Sequence, residues 1–215
     1  MMRALVAGVG AYGDALCRRL ARDAADRGDE LRLAVWATEP VDGLLTGLDA
    51  ELLVLPGDPA DPRAPAELVA RAVEFCGGLD ALFCNTGTSG EPPSLLDAAL
   101  EDWDRFAAIN VRAPLLLGQA AYPALRRSRG AIAIMADLAG TQPDPTHGLS
   151  SASRAGAIMV ARMLSQDWAP DGIQVNSVSP DGGTVDAEDV ASTVAFLLGP
   201  DSGYVTGEDF VLRAR

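Results

Sequence analysis

Arg3-Ala-Leu-Val-Ala7 runs into Gly8-Val9-Gly10-Ala11-Tyr12-Gly13 and on into Asp14-Ala-Leu16-Cys17-Arg18-Arg19-Leu20. A short apolar run bounded by glycine reads as a strand buried on both faces. Beyond the glycines, Leu16, Leu20 and Ala24 recur at helical spacing, so one face of a helix is apolar. The glycines between allow a tight turn, and the helix start that follows is a place where an anion is favoured. The stretch predicts a strand, a turn and a helix in a parallel sheet.

The same alternation continues down the chain. Further strands are expected at 31–36, 51–55, 81–85, 131–135, 173–178 and 208–212. Helices are expected at 14–26, 65–75, 96–126, 150–168 and 186–198. Continuous apolar strands separated by helices mean an α/β fold, a doubly wound parallel sheet of about seven strands with helices on both faces. No repeat or linker interrupts the 215 residues, so 1–215 is expected to be a single domain.

Composition removes several classes of function. The net charge of −13 argues against a nucleic acid or an anionic membrane as partner. No run approaches the ~18 apolar residues of a membrane span. Cys17, Cys76 and Cys84 sit apart in apolar segments and read as buried thiols of a cytoplasmic protein. His147 is the one histidine, and with scattered thiols it cannot build a protein zinc site, so no metal is expected.

Several motifs follow in order. Asp58 comes after the third strand, Cys84-Asn85-Thr86-Gly87 ends the fourth, and Ile109-Asn110-Val111 lies in the long helical region. Ile173-Gln174-Val175-Asn176-Ser177-Val178-Ser179-Pro180 and Tyr204-Val205-Thr206-Gly207 close the series. This set resembles the short-chain dehydrogenase/reductase (SDR) family from the glycine loop to Gly207. The resemblance implies a Rossmann-like sheet. It assigns nucleotide binding to Gly8, Gly10, Gly13, Asp58, Asn85 and Gly87, with Asp58 at the adenine, and a catalytic water to Asn110.

Three segments depart from that family. Its glycine loop is usually Gly-x-x-x-Gly-x-Gly; aligning Gly13 to Leu20 with the family helix leaves this loop one residue short, with Ala11 at the middle glycine position. Asp14 then stands where many relatives carry a basic residue, and a carboxylate near a pyrophosphate is repulsive. The loop is either a modified NAD(H) site or a turn that no longer clamps phosphate. Glu39, at the end of the second strand, could bond a ribose.

The second departure is Ser150-Ser151-Ala152-Ser153-Arg154-Ala155, which stands where the family carries Tyr-x-x-x-Lys. The family serine position falls on Asp137, so Asp137, Ser150 and Arg154 replace Ser, Tyr and Lys. An aliphatic hydroxyl is a poor acid/base near neutrality, and losing that catalysis costs about 10²–10⁴-fold. Arg154 stays charged but has no tyrosine to tune. Asp137 could serve as a new base or simply pair with Arg154. His147 reads as a surface or packing residue, Cys84 as a small apolar filler, and none of Tyr12, Tyr122 and Tyr204 has the spacing of the lost tyrosine.

The third departure follows Pro180. Asp181-Gly182-Gly183-Thr184 passes almost directly to Val185-Asp186-Ala187-Glu188-Asp189-Val190-Ala191, so the segment that covers the substrate in the family is reduced or absent. Without such cover little excludes water from a reacting carbonyl.

Family members assemble through their long helices, here around 96–126 and 150–168. Those helices with an altered site imply a non-catalytic subunit that joins an active SDR paralogue as a dimer or hetero-tetramer. The complex would be an NAD-dependent alcohol or 3-hydroxyacyl-CoA-type dehydrogenase, of which the benzylsuccinate-pathway enzyme is a family example, with NAD(H) held by the partner subunit. Two alternatives stand beside it: an enzyme with altered chemistry on Asp137, and an NAD(P)(H)-sensing regulatory protein.

Overall fold

The computed structural model describes residues 1–38, 41, 44–88, 95–142, 144 and 146–214. Seven strands appear: β1 (Met2–Ala7), β2 (Leu31–Ala37), β3 (Glu51–Pro56), β4 (Ala81–Cys84), β5 (Ala131–Met135), β6 (Gln174–Pro180) and β7 (Asp209–Leu212). The helices are α1 (Gly10–Arg27), α2 (Ala64–Cys76), α3 (Leu100–Ala107), α4 (Ala113–Ser128), α5 (Gly148–Trp168) and α6 (Ala187–Leu198). All strand pairs are parallel, in the order β3-β2-β1-β4-β5-β6-β7. This is the doubly wound, Rossmann-like sheet that the alternation predicts.

Two-residue periodicity divides the core. Ala4 and Val6 of β1, with Leu33 and Val35 of β2, face Leu16 and Leu20 of α1 and Val190 and Val194 of α6. Leu5 and Ala7, with Ala34 and Trp36, face the opposite layer built from α2, α4 and α5. Both faces are covered, so β1, β4 and β5 are apolar through their buried stretches, while β6 buries Asn176, Ser177 and Ser179. β1 lies between β2 and β4, and the chain leaves it in opposite directions on either side. At such a switch point a crevice opens at the carboxyl ends of the strands.

The helix expected over 96–126 is not continuous. Leu95 to Ala99 form turns and an extended stretch, and α3 begins at Leu100. A π-helical turn, Ala108–Arg112, then separates α3 from α4. Pro114 is the physical reason: it has no N–H for the carbonyl of Asn110, and the ladder widens so that Ala113 N–H bonds Ala108 O. The turn carries Asn110.

The connection from β6 to α6 is residues 181–186. It is a single turn in which Thr184 N–H bonds Asp181 O at 3.1 Å, so no covering segment exists between these elements. No helix among the described residues is long and apolar enough to cross a membrane.

Candidate functional site

The glycine loop is built by close main-chain contact. Gly8 has φ of +107°, and a Cβ there would sit 2.5 Å from Asn85 O. A Cβ on Gly13 would collide with Gly8 O. Asn85 Nδ2 donates to Gly8 O at 3.0 Å and to Val9 O at 3.1 Å, tying the end of β4 to the loop. Gly8, Val9 and Asn85 line a crevice of about 200 Å³ with Gly10, Trp36, Pro59 and Gly87.

Two neighbours expected here point elsewhere. Asp58 is exposed; its Oδ1 accepts from Ala60 N–H at 2.8 Å, and it is Pro59 that lines the crevice. Asp14 pairs with Arg18 at 2.8 Å and accepts from Leu45 N–H at 2.9 Å. Burial pushes the Asp14 carboxyl up, but Arg18 and the Leu45 N–H outweigh it and hold the group below its ordinary value. The repulsive charge expected at the loop is therefore compensated within α1. Glu39 lies outside the described residues.

A second cavity, about 320 Å³, lies beyond β5. Asp137, Gln142, Asp144, His147, Ser150 and Asp181 line it. The structure thus brings Asp137 and Ser150 together and adds Asp144 and Asp181, which the sequence motifs did not indicate. Asp137 follows β5 and caps a short 3₁₀ turn, its Oδ1 accepting from Ala139 N–H at 2.9 Å. Ser150 stands in the first turn of α5. His147 is exposed and bonds Asp144 Oδ2 at 3.0 Å and Thr146 Oγ1 at 2.8 Å, the surface role expected of it.

Arg154 lines neither cavity. From α5 its Nη1 donates to Met135 O at 3.0 Å, at the end of β5, and to Thr86 O at 3.4 Å, past the end of β4. Its Nη2 fills the space over Gly87, where a Cβ would lie 2.5 Å away. Nε is buried without a hydrogen-bond partner. Burial lowers the Arg154 pKa and the charge of Asp137 opposes that shift; a guanidinium stays protonated regardless. Asp137 and Arg154 each bond main chain rather than one another.

Asn110 is fully buried in the π turn. Its Nδ2 donates to Ser153 Oγ at 2.9 Å, and Oδ1 has no partner. Tyr12 is the other group that sequence spacing did not bring here. Burial first, and then the charge of Asp137, raise its pKa above that of an ordinary phenol. That direction is away from the value a general base needs near neutrality.

The thiols are unreactive by the same physics. Burial is the first cause in each case: it pushes Cys17 up to about 12 and Cys76 up to about 11, and it raises Cys84 as well. No cluster of metal-ligating side chains occurs among the described residues. A wider hollow of about 480 Å³ at the opposite end of the sheet, lined by Met2, Leu20, Arg129 and Leu198, holds none of these motif residues.

A parallel doubly wound sheet with a glycine loop at its switch point defines a nucleotide-binding-type α/β protein. The family assignment is more specific. A sequence model described as enoyl-(acyl carrier protein) reductase matches residues 10–184. Human dehydrogenase/reductase SDR family member 2, mitochondrial, is 30% identical over 231 residues, covering 93% of this chain and 80% of that protein. The chain belongs to the short-chain dehydrogenase/reductase family. A short-chain type dehydrogenase/reductase from Mycobacterium marinum has the same fold, with a TM-score of 0.87 at 24% identity over 99% of this chain and 93% of the other. So does ElxO, whose structure holds NADP, with a TM-score of 0.87 at 16% identity over 99% and 98%.

Proposed function

We propose that this chain is a non-catalytic SDR subunit. It assembles with an active SDR paralogue into a heteromeric NAD-dependent alcohol or 3-hydroxyacyl-CoA-type dehydrogenase, and the partner holds the reacting NAD(H). The observation that carries this reading is Arg154, whose buried guanidinium is tied to main-chain carbonyls at the ends of β4 and β5 and so is not placed to tune an acid/base.

Other features agree. Ser150 offers an aliphatic hydroxyl, and the Tyr12 phenol is shifted the wrong way for an acid/base near neutrality. The turn at residues 181–186 is too short to supply the second cavity with a cover that would exclude water. On the helices expected at an assembly face, Leu100 and Trp103 are 68% and 43% exposed, and Met159 and Met163 are 53% and 49% exposed. Large apolar side chains at this exposure suit a surface covered by another subunit. A nucleotide-sensing role is the second reading. It is favoured by the crevice lined by Gly8, Asn85 and Gly87, in a fold shared with ElxO, whose structure holds NADP.

Native mass spectrometry of the chain purified from its own host tests the assembly, and turnover assays of the isolated chain with NAD(H) test the chemistry. A stoichiometric complex with an intact SDR, and no turnover by the chain alone, is the expected result. A homo-oligomer that oxidises alcohols and loses activity on D137A would replace this reading with the Asp137 chemistry.

A further inference from the structure

We propose that the hollow at the amino ends of the strands is a separate ligand site, one that takes a medium-chain monocarboxylate with its head at Arg129 and its tail inside. The hollow has a volume of about 480 Å³. It gathers residues from the starts of β1, β5 and β6, from α1 and from the end of α6. Ligand pockets occupy about 300–1,000 Å³, so the space suffices for a small molecule. The wall is apolar: Leu20, Ala195 and Leu198 belong to the buried core, and Met2 packs on the same core.

The charges on the rim select the head group. Asp23, Asp29 and Asp80 line the hollow, but each carboxylate already has a cation: Arg19 at 2.8 Å, Arg27 at 3.5 Å and Arg3 at 2.9 Å. The Arg129 guanidinium and the Gln174 amide, which also line it, have no hydrogen-bond or ionic partner among the described residues. The spare capacity is therefore that of a donor with one positive charge, in a chain whose net charge is −13. A planar guanidinium fork matches a single carboxylate, and a cationic ligand would find no free carboxylate to pair with. Arg129 is also held in place. It ends α4 with φ of +53°, a region that favours glycine. Its stem lies on Gly172, where an added Cβ would be 3.2 Å from Arg129 Cγ. Strain of this kind persists where the surroundings fix it, and ligand clamps are one such place.

The hollow lies at the other end of the sheet from the glycine loop and Ser150, so the inference holds whether or not the chain joins a paralogue. Methyl NMR of the full chain, titrated with octanoate, butyrate and octanol, tests it on the wild type and on Arg129→Gly. Glycine accepts φ of +53°, so this variant is expected to keep the fold. Octanoate is expected to shift the methyls of Met2, Leu20 and Leu198 and to leave Val9, in the glycine-loop crevice, unmoved. Butyrate should bind about tenfold or more weakly, because its shorter tail buries fewer methylenes. In Arg129→Gly the octanoate affinity should fall about tenfold, to that of octanol, while octanol itself is unchanged. Arg129→Lys keeps the charge without the fork; it should fall between the two and serves if the glycine variant does not fold. Octanoate that fails to bind, or binds without moving Leu20 and Leu198, would overturn the site. Equal affinities for butyrate and octanoate would overturn the buried tail, and an unchanged octanoate affinity in Arg129→Gly would overturn the anchor. None of these results bears on the subunit reading, which native mass spectrometry decides separately.

Discussion

On the β1–β4 side of the cleft, main chain locks against main chain: Gly13 abuts Gly8 O, Gly8 abuts Asn85 O, and Asn85 bonds the loop at two carbonyls. On the β5–β6 side, Asn110 Oδ1, Ser151 Oγ and Arg154 Nε are buried with no hydrogen-bond partner. The first side is determined by fit, and its residues are required by the fold before any ligand is considered. The second is where local rules are broken, as happens where sequence serves something other than stability. A glycine motif is therefore weak evidence of ligand chemistry, and a buried guanidinium with an unpartnered Nε is stronger.

Stability measurements can break this contrast. The largest effect is expected for Gly13→Ala, whose Cβ meets backbone and not a flexible side chain. Overpacking against backbone at such a site costs about 3 kcal/mol or more, read as a fall in the urea midpoint. A midpoint near wild type would mean that the loop can shift and is not locked. Asn85→Ala comes next. It removes two hydrogen bonds and leaves Gly8 O and Val9 O without their donor, a loss of about 2 kcal/mol in the same assay.

Arg154→Met should behave oppositely. Its guanidinium is desolvated and meets only neutral carbonyls, and replacing such a buried charge by an apolar chain of similar length is commonly neutral or stabilising. A change within about 1 kcal/mol in either direction is expected. A loss as large as that of Gly13→Ala would make Arg154 a structural brace like the glycines, and the two sides of the cleft would then be alike.

How much of this the sequence disclosed depends on the kind of signal. β5 is found at Ala131–Met135, as expected, because an unbroken apolar run after Gly130 allows no other boundary. α1 begins at Gly10, earlier than the expected 14, because Gly10 and Gly13 argue against helix although they lie in its first turn. The break at Asn110 was hidden because the apolar pattern passes through it and only Pro114 marks the change of ladder. In the cleft, Asp137 and Ser150 do share one cavity, as motif spacing implies. Asp144, Asp181 and Tyr12 were missed: the two aspartates come from separate loops and Tyr12 from the first turn of α1, and no period links such segments. The reach of Arg154 from α5 to two strand ends was equally invisible, since spacing gives neighbours along a helix and not where a long side chain goes.

The smallest expected effect sits at the mouth of the second cavity and concerns pH. Asp144 accepts from Thr146 Oγ1 at 2.6 Å, from Thr146 N–H at 2.9 Å and bonds His147. These bonds, those of Thr146 first, hold its carboxyl down to about 2. The folded value lies below the ordinary aspartate value of about 3.9, so the contribution of this carboxylate is fully present above that value and is lost as pH falls through about 2. Because the group is exposed, water screens it and the global stability should scarcely move. The shift is instead read directly, by carboxyl-carbon NMR of Asp144 between pH 1 and 6. Thr146→Val should raise the midpoint more than His147→Ala does, since the threonine supplies the larger share. The reverse order would make the imidazolium the main partner, and His147 would then belong to the electrostatics of the cavity instead of its surface.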